Sequence, residues 1–376
     1  MPFSQIFQDD APIQSPLLGR FQRLIAPLSS GALESMARDS RRQTEKYFGK
    51  TMRLFAPLYL SNECVNNCQY CGFSRDNPIL RVTLSQEQIV REARHLSLEG
   101  FRHILLVAGE HPRFVSDGYL EKSIRSIKSF IPTVALEVGP MEAPEYAKMV
   151  AAGAEGLVVY QETYHRQTYS DLHTAGPKRK FDWRLDCPER AYQAGFRRIG
   201  IGALLGLADW RAEALSLAAH LEYLFKHCWK ASLTISLPRL RPAAGEFQPR
   251  YSISDAEYLQ LICAFRIIFP QVGIVLSTRE SPSFRNALLP LGITSMSAGS
   301  HTEPGGYTGQ GNDDLHLTVR GRRVDLEDNQ SLCNQATEQF HIADERSPAE
   351  IAQHLRDQGF DPVWKDWDEA ILSQEP

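Results

Sequence analysis

The chain has 376 residues, 43% of them hydrophobic and 23% charged, a globular composition long enough for one large domain or two ordinary ones. A formal net charge of -4 gives no electrostatic basis for nucleic acid or an anionic membrane as a general partner. The opening MPFSQIFQDDAPIQSP lacks the basic and apolar regions of a signal peptide, and no run approaches the ~20 apolar residues of a membrane span.

The first fifty residues read as helical, an N-terminal cap (1–50). From there to residue 300, short continuous runs of Val, Ile and Leu alternate with longer amphipathic patterns. The runs, 52–61, 102–109, 133–139, 156–163, 198–206, 232–240, 272–279 and 293–299, have the pattern of buried parallel strands. Helices fall between them at 84–100, capped by Ser85, at 143–153, closed by Gly153, and at 208–227 and 254–270. Eight strands with intervening helices predict a (β/α)8 TIM-type barrel over 51–300, a fold of ~250 residues in the usual case. An open parallel barrel or a doubly wound sheet competes, and counting alone does not exclude either. The remainder, 301–376, is expected to complete the barrel as an extension. Its polar, Gly-rich part, 301–347, reads as a long loop; a capped helix (347–360) and PVWKDWDE follow, with Trp364 and Trp367 closing the core.

Barrel enzymes place their chemistry at the C-terminal strand ends. Here those ends carry Cys64, Cys68 and Cys71, then Gly109-Glu110, Glu137, Tyr160-Gln161-Glu162, Arg239 and Arg241, Arg279-Glu280, and Ser297. Taken singly, each charge is more simply a solvated loop residue, and Arg239 and Arg241 have acids nearby to pair with. Together they converge on one mouth, and such a mixture of carboxylates and guanidiniums suits a zwitterionic ligand.

Of the seven cysteines, Cys187, Cys228, Cys263 and Cys333 stand singly, which is not a secreted disulfide framework but fits a reducing cytoplasm. The other three lie in SNECVNNCQYCGFSRDNP with C-x3-C-x2-C spacing. Zinc usually takes four ligands as two CxxC-like pairs; no second pair exists, and His103 and His111 fall at no zinc-finger spacing. A ferredoxin-type cluster needs a fourth cysteine, whereas three thiolates on a [4Fe–4S] cluster leave one iron open to a small chelating molecule. A zinc-stabilised, non-catalytic barrel is the reading from another class, separable by iron and sulfide content.

C-x3-C-x2-C with an aromatic residue before the last cysteine, following a barrel's first strand, resembles the radical S-adenosylmethionine (SAM) superfamily. SNECVNNCQYCGFS, LLVAGEHP, LEVGPM, VVYQETYH, IGIGALLGL, SLPRLRP, LSTRESPSFR, GGYTG and PVWKDWD together resemble the 2-iminoacetate synthase family, the tyrosine lyases of thiazole biosynthesis, from about residue 50 onward. The resemblance implies a [4Fe–4S] cluster on Cys64, Cys68 and Cys71, with SAM on its open iron. It implies a 5′-deoxyadenosyl radical that cleaves the Cα–Cβ bond of L-tyrosine to 2-iminoacetate and 4-cresol. By the same carry-over, Tyr70 flanks the SAM adenine and Glu110 accepts from the SAM amino group, with Ala108 where the family's Gly-Gly-Glu motif has Gly. Glu137 and Glu162 lie along the ribose and methionine, and Arg184 faces the SAM carboxylate. For tyrosine, Arg279 is expected to hold the carboxylate, Ser297 to add a hydrogen bond, and Glu280 or Gln161 to meet the amino group; the 301–346 loop is expected to act in a lid. Flavodoxin as reductant and thiazole synthase as recipient of the labile imine are the implied partners. The tyrosine lyase of hydrogenase cofactor assembly, with its second C-terminal cysteine cluster, and a tryptophan-cleaving relative are the nearest rivals in chemistry.

Overall fold

A computed structural model describes residues 1–8, 15–116, 118–324 and 335–364. Eight parallel strands form the frame: β1 Thr51–Ser61, β2 His103–Ala108, β3 Thr133–Glu137, β4 Ala154–Glu162, β5 Arg198–Ala203, β6 Ser232–Ser236, β7 Gly273–Leu276 and β8 Ser295–Ser297. Each pairs with the next, and β8 returns to β1 with Phe55 opposite Ser297, so the barrel is closed and has no free edge. This settles the choice among parallel folds, because a doubly wound sheet keeps two edges. Outward residues such as Leu54, Ile104, Leu106, Leu136 and Ile235 are fully buried beneath the surrounding helices.

Local chemistry explains where those helices begin. Ser85, Ser254 and Ser347 each accept from a backbone N–H in the first turn, and Gln88, Glu257 and Glu350 return a bond to the cap residue. The N-terminal helices Pro16–Leu24 and Ser30–Phe48 lie against the helix Asp255–Ile268, with the Phe21 and Phe265 rings 4.7 Å apart. Among the described residues no helix is long and apolar enough to cross a membrane.

The stretch expected as one long loop is not irregular throughout. His316–Val319 and Arg322–Val324 form a hairpin, and the first pairs antiparallel with Ile79–Arg81, just beyond the cysteine loop. The hydrophobic pattern concealed it because the buried positions are polar: His316 donates to Glu63 Oε1 at 2.6 Å, and Thr318 is bonded to Arg81. Past the last helix, Asp361–Val363 pairs parallel with Thr51–Arg53, and the Trp364 ring meets Phe101 edge-on at 5.2 Å, as core closure requires. Trp367 and Cys333 lie outside the described residues.

Candidate active site

The cysteine loop leaves β1 and is shaped by two neighbours. Gly109, at the end of β2, packs so closely that an added Cβ would stand 2.2 Å from the Glu63 carbonyl oxygen, so only glycine lets the loop settle there. Val65 N–H then bonds the Glu110 carbonyl at 2.8 Å. On the other side the buried Arg81 guanidinium donates to the carbonyls of Asn62, Phe73 and Ser74, which fixes the loop at its start and just past Cys71.

All three cysteines line one cavity at the C-terminal mouth. Glu110, Glu137, Glu162, Lys178 and Arg184 share its wall. Lys178 Nζ stands 2.7 Å and Arg184 3.6 Å from Glu162 Oε1. Burial alone would raise the Glu162 carboxyl, but these two cations outweigh it and hold it below the ordinary carboxylate range. Glu162 itself sits at φ 71, with a register shift in the ladder beside it, so the end of β4 is bent to aim this carboxylate inward. Glu137 has less compensation: burial, then the Glu162 charge, push it up to about 7. Asn66 Nδ2 donates to Glu110 Oε2 at 2.7 Å. Burial likewise pushes the Cys68 and Cys71 thiols up, against the nearby charge of Lys178.

A second chamber adjoins the first and shares Val107, Glu137, Tyr160 and Gln339 with it. Arg279 and Ser297 are on its wall, together with Tyr59, Thr278 and Phe340. The Arg279 guanidinium carbon lies 3.3 Å from the centre of the Phe340 ring, and both residues line the chamber.

The Radical SAM superfamily profile matches residues 58–218, and that of the Biotin and Thiamin Synthesis associated domain matches residues 236–361. The 2-iminoacetate synthase of Escherichia coli (strain K12) is 41% identical over 93% of this chain and 86% of its own length. The Salmonella typhimurium enzyme of the same name is 40% identical over 92% and 86%. The chain belongs to the 2-iminoacetate synthase family. In three dimensions it is similar to the FeFe-hydrogenase maturase HydG from Carboxydothermus hydrogenoformans, with a TM-score of 0.81, 36% identity, and coverage of 96% of this chain and 79% of that one.

For a member of the 2-iminoacetate synthase family, the cavity fits the cofactor set of a radical SAM enzyme. Three thiols stand around a polar chamber, the donor set a cluster held on three cysteines needs. A cluster spaces its thiolates on different irons, and the remaining wall offers carboxylates and cations to a zwitterion.

Three of the expected site residues are placed elsewhere. Tyr70 backs the first cavity instead of lining it: its hydroxyl donates to His173 Nε2 at 2.7 Å, and Lys178 lies over its ring. His173 spends its other nitrogen on the Tyr169 carbonyl, and burial holds it neutral at about 3, so it can only accept from Tyr70. Gln161 belongs to the outer face of β4, because Tyr160 and Glu162 take the inward positions of the pleat; it is buried, with no hydrogen-bond partner for either amide atom among the described residues. Glu280 points away from Arg279 and is held by the Arg239 guanidinium, Nε to Oε1 at 2.9 Å. Arg279 and Glu280 lie in the turn beyond β7, where Arg279 lines the second chamber and Glu280 lines neither. Sequence reasoning did not find Lys178, Tyr59, Gln339 and Phe340, all of which line one chamber or both.

Proposed function

We propose that this chain is a radical SAM carbon–carbon lyase that cleaves L-tyrosine between Cα and Cβ to 2-iminoacetate and 4-cresol, feeding thiazole formation in thiamine biosynthesis. The observation that carries this reading is the shared wall of the two chambers. A group held by the three cysteines and an amino acid held on Arg279 face each other across Glu137, Tyr160 and Gln339.

Cys64, Cys68 and Cys71 hold a [4Fe–4S] cluster in this reading. The cluster and SAM, when bound, supply a 5′-deoxyadenosyl radical by one-electron cleavage of the sulfonium. The protein's part is placement. Glu110, pre-oriented by Asn66, accepts from the SAM amino group, while Arg184 and Lys178 favour its carboxylate. Glu137 and Glu162 border the same cavity, and Glu162 stays ionised between its two cations. In the second chamber Arg279 takes the tyrosine carboxylate as a flat fork, and Ser297 stands on the same wall. This orients the tyrosine amino group, whose hydrogen is the one removed, toward the shared wall. Gln339 lines both chambers and Phe340 the second, where they restrict water. A flavodoxin-type reductant and thiazole synthase complete the reading as partners in the cytoplasm.

Product analysis tests the substrate. Anaerobically reconstituted protein with SAM and reductant is offered L-tyrosine or L-tryptophan. The reading predicts 4-cresol from tyrosine and no carbon–carbon cleavage of tryptophan; cleavage of tryptophan alone would replace the substrate.

A further inference from the structure

Gln339 occupies an unusual position between the two chambers, touching both. Its backbone is tied on each side: its N–H donates to the Thr302 carbonyl at 2.9 Å, and its carbonyl accepts from Gly72 N–H at 3.1 Å. A Cβ at Gly72 would stand 2.5 Å from that carbonyl oxygen, so the residue after Cys71 has no side chain in order that Gln339 can come this close. The side chain is equally constrained. The Tyr59 hydroxyl, kept protonated by burial, donates to Gln339 Oε1 at 2.7 Å. That bond fixes which way the amide faces and turns Nε2 toward Cys71 Sγ, 3.9 Å away.

We propose that Gln339 is a positioning residue that donates a hydrogen bond to the Cys71 thiolate and connects that bond, through Tyr59, to the Arg279 chamber. The inference rests on reading the three cysteines as cluster ligands. An N–H aimed at a ligating sulfur stabilises the more negative, reduced state, and so raises the reduction potential. The Tyr59 hydroxyl polarises the amide from its other end and strengthens the donor. Tyr59 is also a wall of the Arg279 chamber, so a ligand that contacts it there changes the bond reaching Cys71. Substrate occupancy is thereby felt at the thiolate without contact between them, and by linkage reduction changes tyrosine affinity by the same factor.

The test is a potentiometric titration followed by electron paramagnetic resonance, on reconstituted wild type, Gln339→Leu and Tyr59→Phe, each with and without L-tyrosine. With iron and sulfide content equal to wild type, Gln339→Leu should have a lower potential, and Tyr59→Phe a smaller shift in the same direction. Tyrosine should move the wild-type potential and leave that of Gln339→Leu in place. A Gln339→Leu potential equal to wild type overturns the inference. Where that variant does not assemble, an unchanged potential in Tyr59→Phe overturns it instead, since Tyr59 makes no bond to a cysteine. The two readings fail separately: wild type without an iron–sulfur cluster removes the ligand assignment, whereas a loaded, SAM-cleaving wild type with an insensitive Gln339→Leu removes only the role of Gln339.

Discussion

Replacing Arg279 with Lys keeps the charge and removes the plane. The guanidinium carbon stands 3.3 Å from the Phe340 ring centre on the chamber wall, and a guanidinium can offer a carboxylate two parallel donors; an ammonium offers a point charge with no stacking surface. A charged hydrogen bond contributes roughly 1.5–3 kcal/mol, and a partly desolvated cation–π contact about 1 kcal/mol. Lysine retains part of the first and little of the second, so tyrosine binding should weaken by about 2 kcal/mol, or roughly 30-fold. The assay is 4-cresol formation against tyrosine concentration, with tyrosine-independent SAM cleavage followed in parallel. The expected result is a raised KM for tyrosine with the background 5′-deoxyadenosine rate intact. A KM within twofold of wild type would show that Arg279 does not hold the carboxylate.

Three further expectations follow from packing and charge. Gly109→Ala drives a Cβ into the Glu63 carbonyl and must displace the cysteine loop; iron content of the reconstituted protein should drop below half, and full loading with normal turnover would contradict the assignment. Asp344 and Arg285 are paired with no side-chain exposure, and Arg285 also donates to the Ser297 carbonyl. Asp344→Asn leaves that guanidinium buried without its charge partner and should cost about 3–5 kcal/mol in urea unfolding, a loss under 1 kcal/mol being the contrary result. Burial raises the Glu213 carboxyl from 4.5 to about 7, despite bonds donated by Thr163 Oγ1 and the Tyr164 N–H. A carboxyl raised on folding stabilises fully below its unfolded value and loses that contribution as pH rises through its folded value. The protein should therefore lose on the order of 3 kcal/mol between pH 4.5 and 7 from this group. Glu213→Gln should flatten that part of the stability profile, and an identical slope in both proteins would refute it.

The barrel was legible because its strands are buried on both faces and so read as unbroken apolar runs, with longer amphipathic patterns between them, one of them marked at its start by Ser85. The cysteines were legible because their spacing is local. Gln161 was placed in the site because the strand end was taken whole, without applying the alternation that sends Tyr160 and Glu162 inward and Gln161 outward; Glu280 lies in the turn beyond β7, where only the folded contact with Arg239 shows which way it faces. Lys178 and Gln339 were hidden for a different reason. They come from the segment after β4 and from the stretch past the hairpin, and only tertiary folding sets them beside Cys68 and Cys71. The hairpin at 316–324 was missed because its buried side chains, His316 and Thr318, are polar and satisfied by Glu63 and Arg81.

Everything functional here depends on what Cys64, Cys68 and Cys71 hold. The most direct measurement is the iron, sulfide and zinc content of anaerobically reconstituted protein, combined with the ratio of 5′-deoxyadenosine to 4-cresol formed from SAM and L-tyrosine. The account predicts about four irons and four sulfides per chain and the two products in near-equal amounts. Zinc in place of iron, with neither product formed, would contradict it.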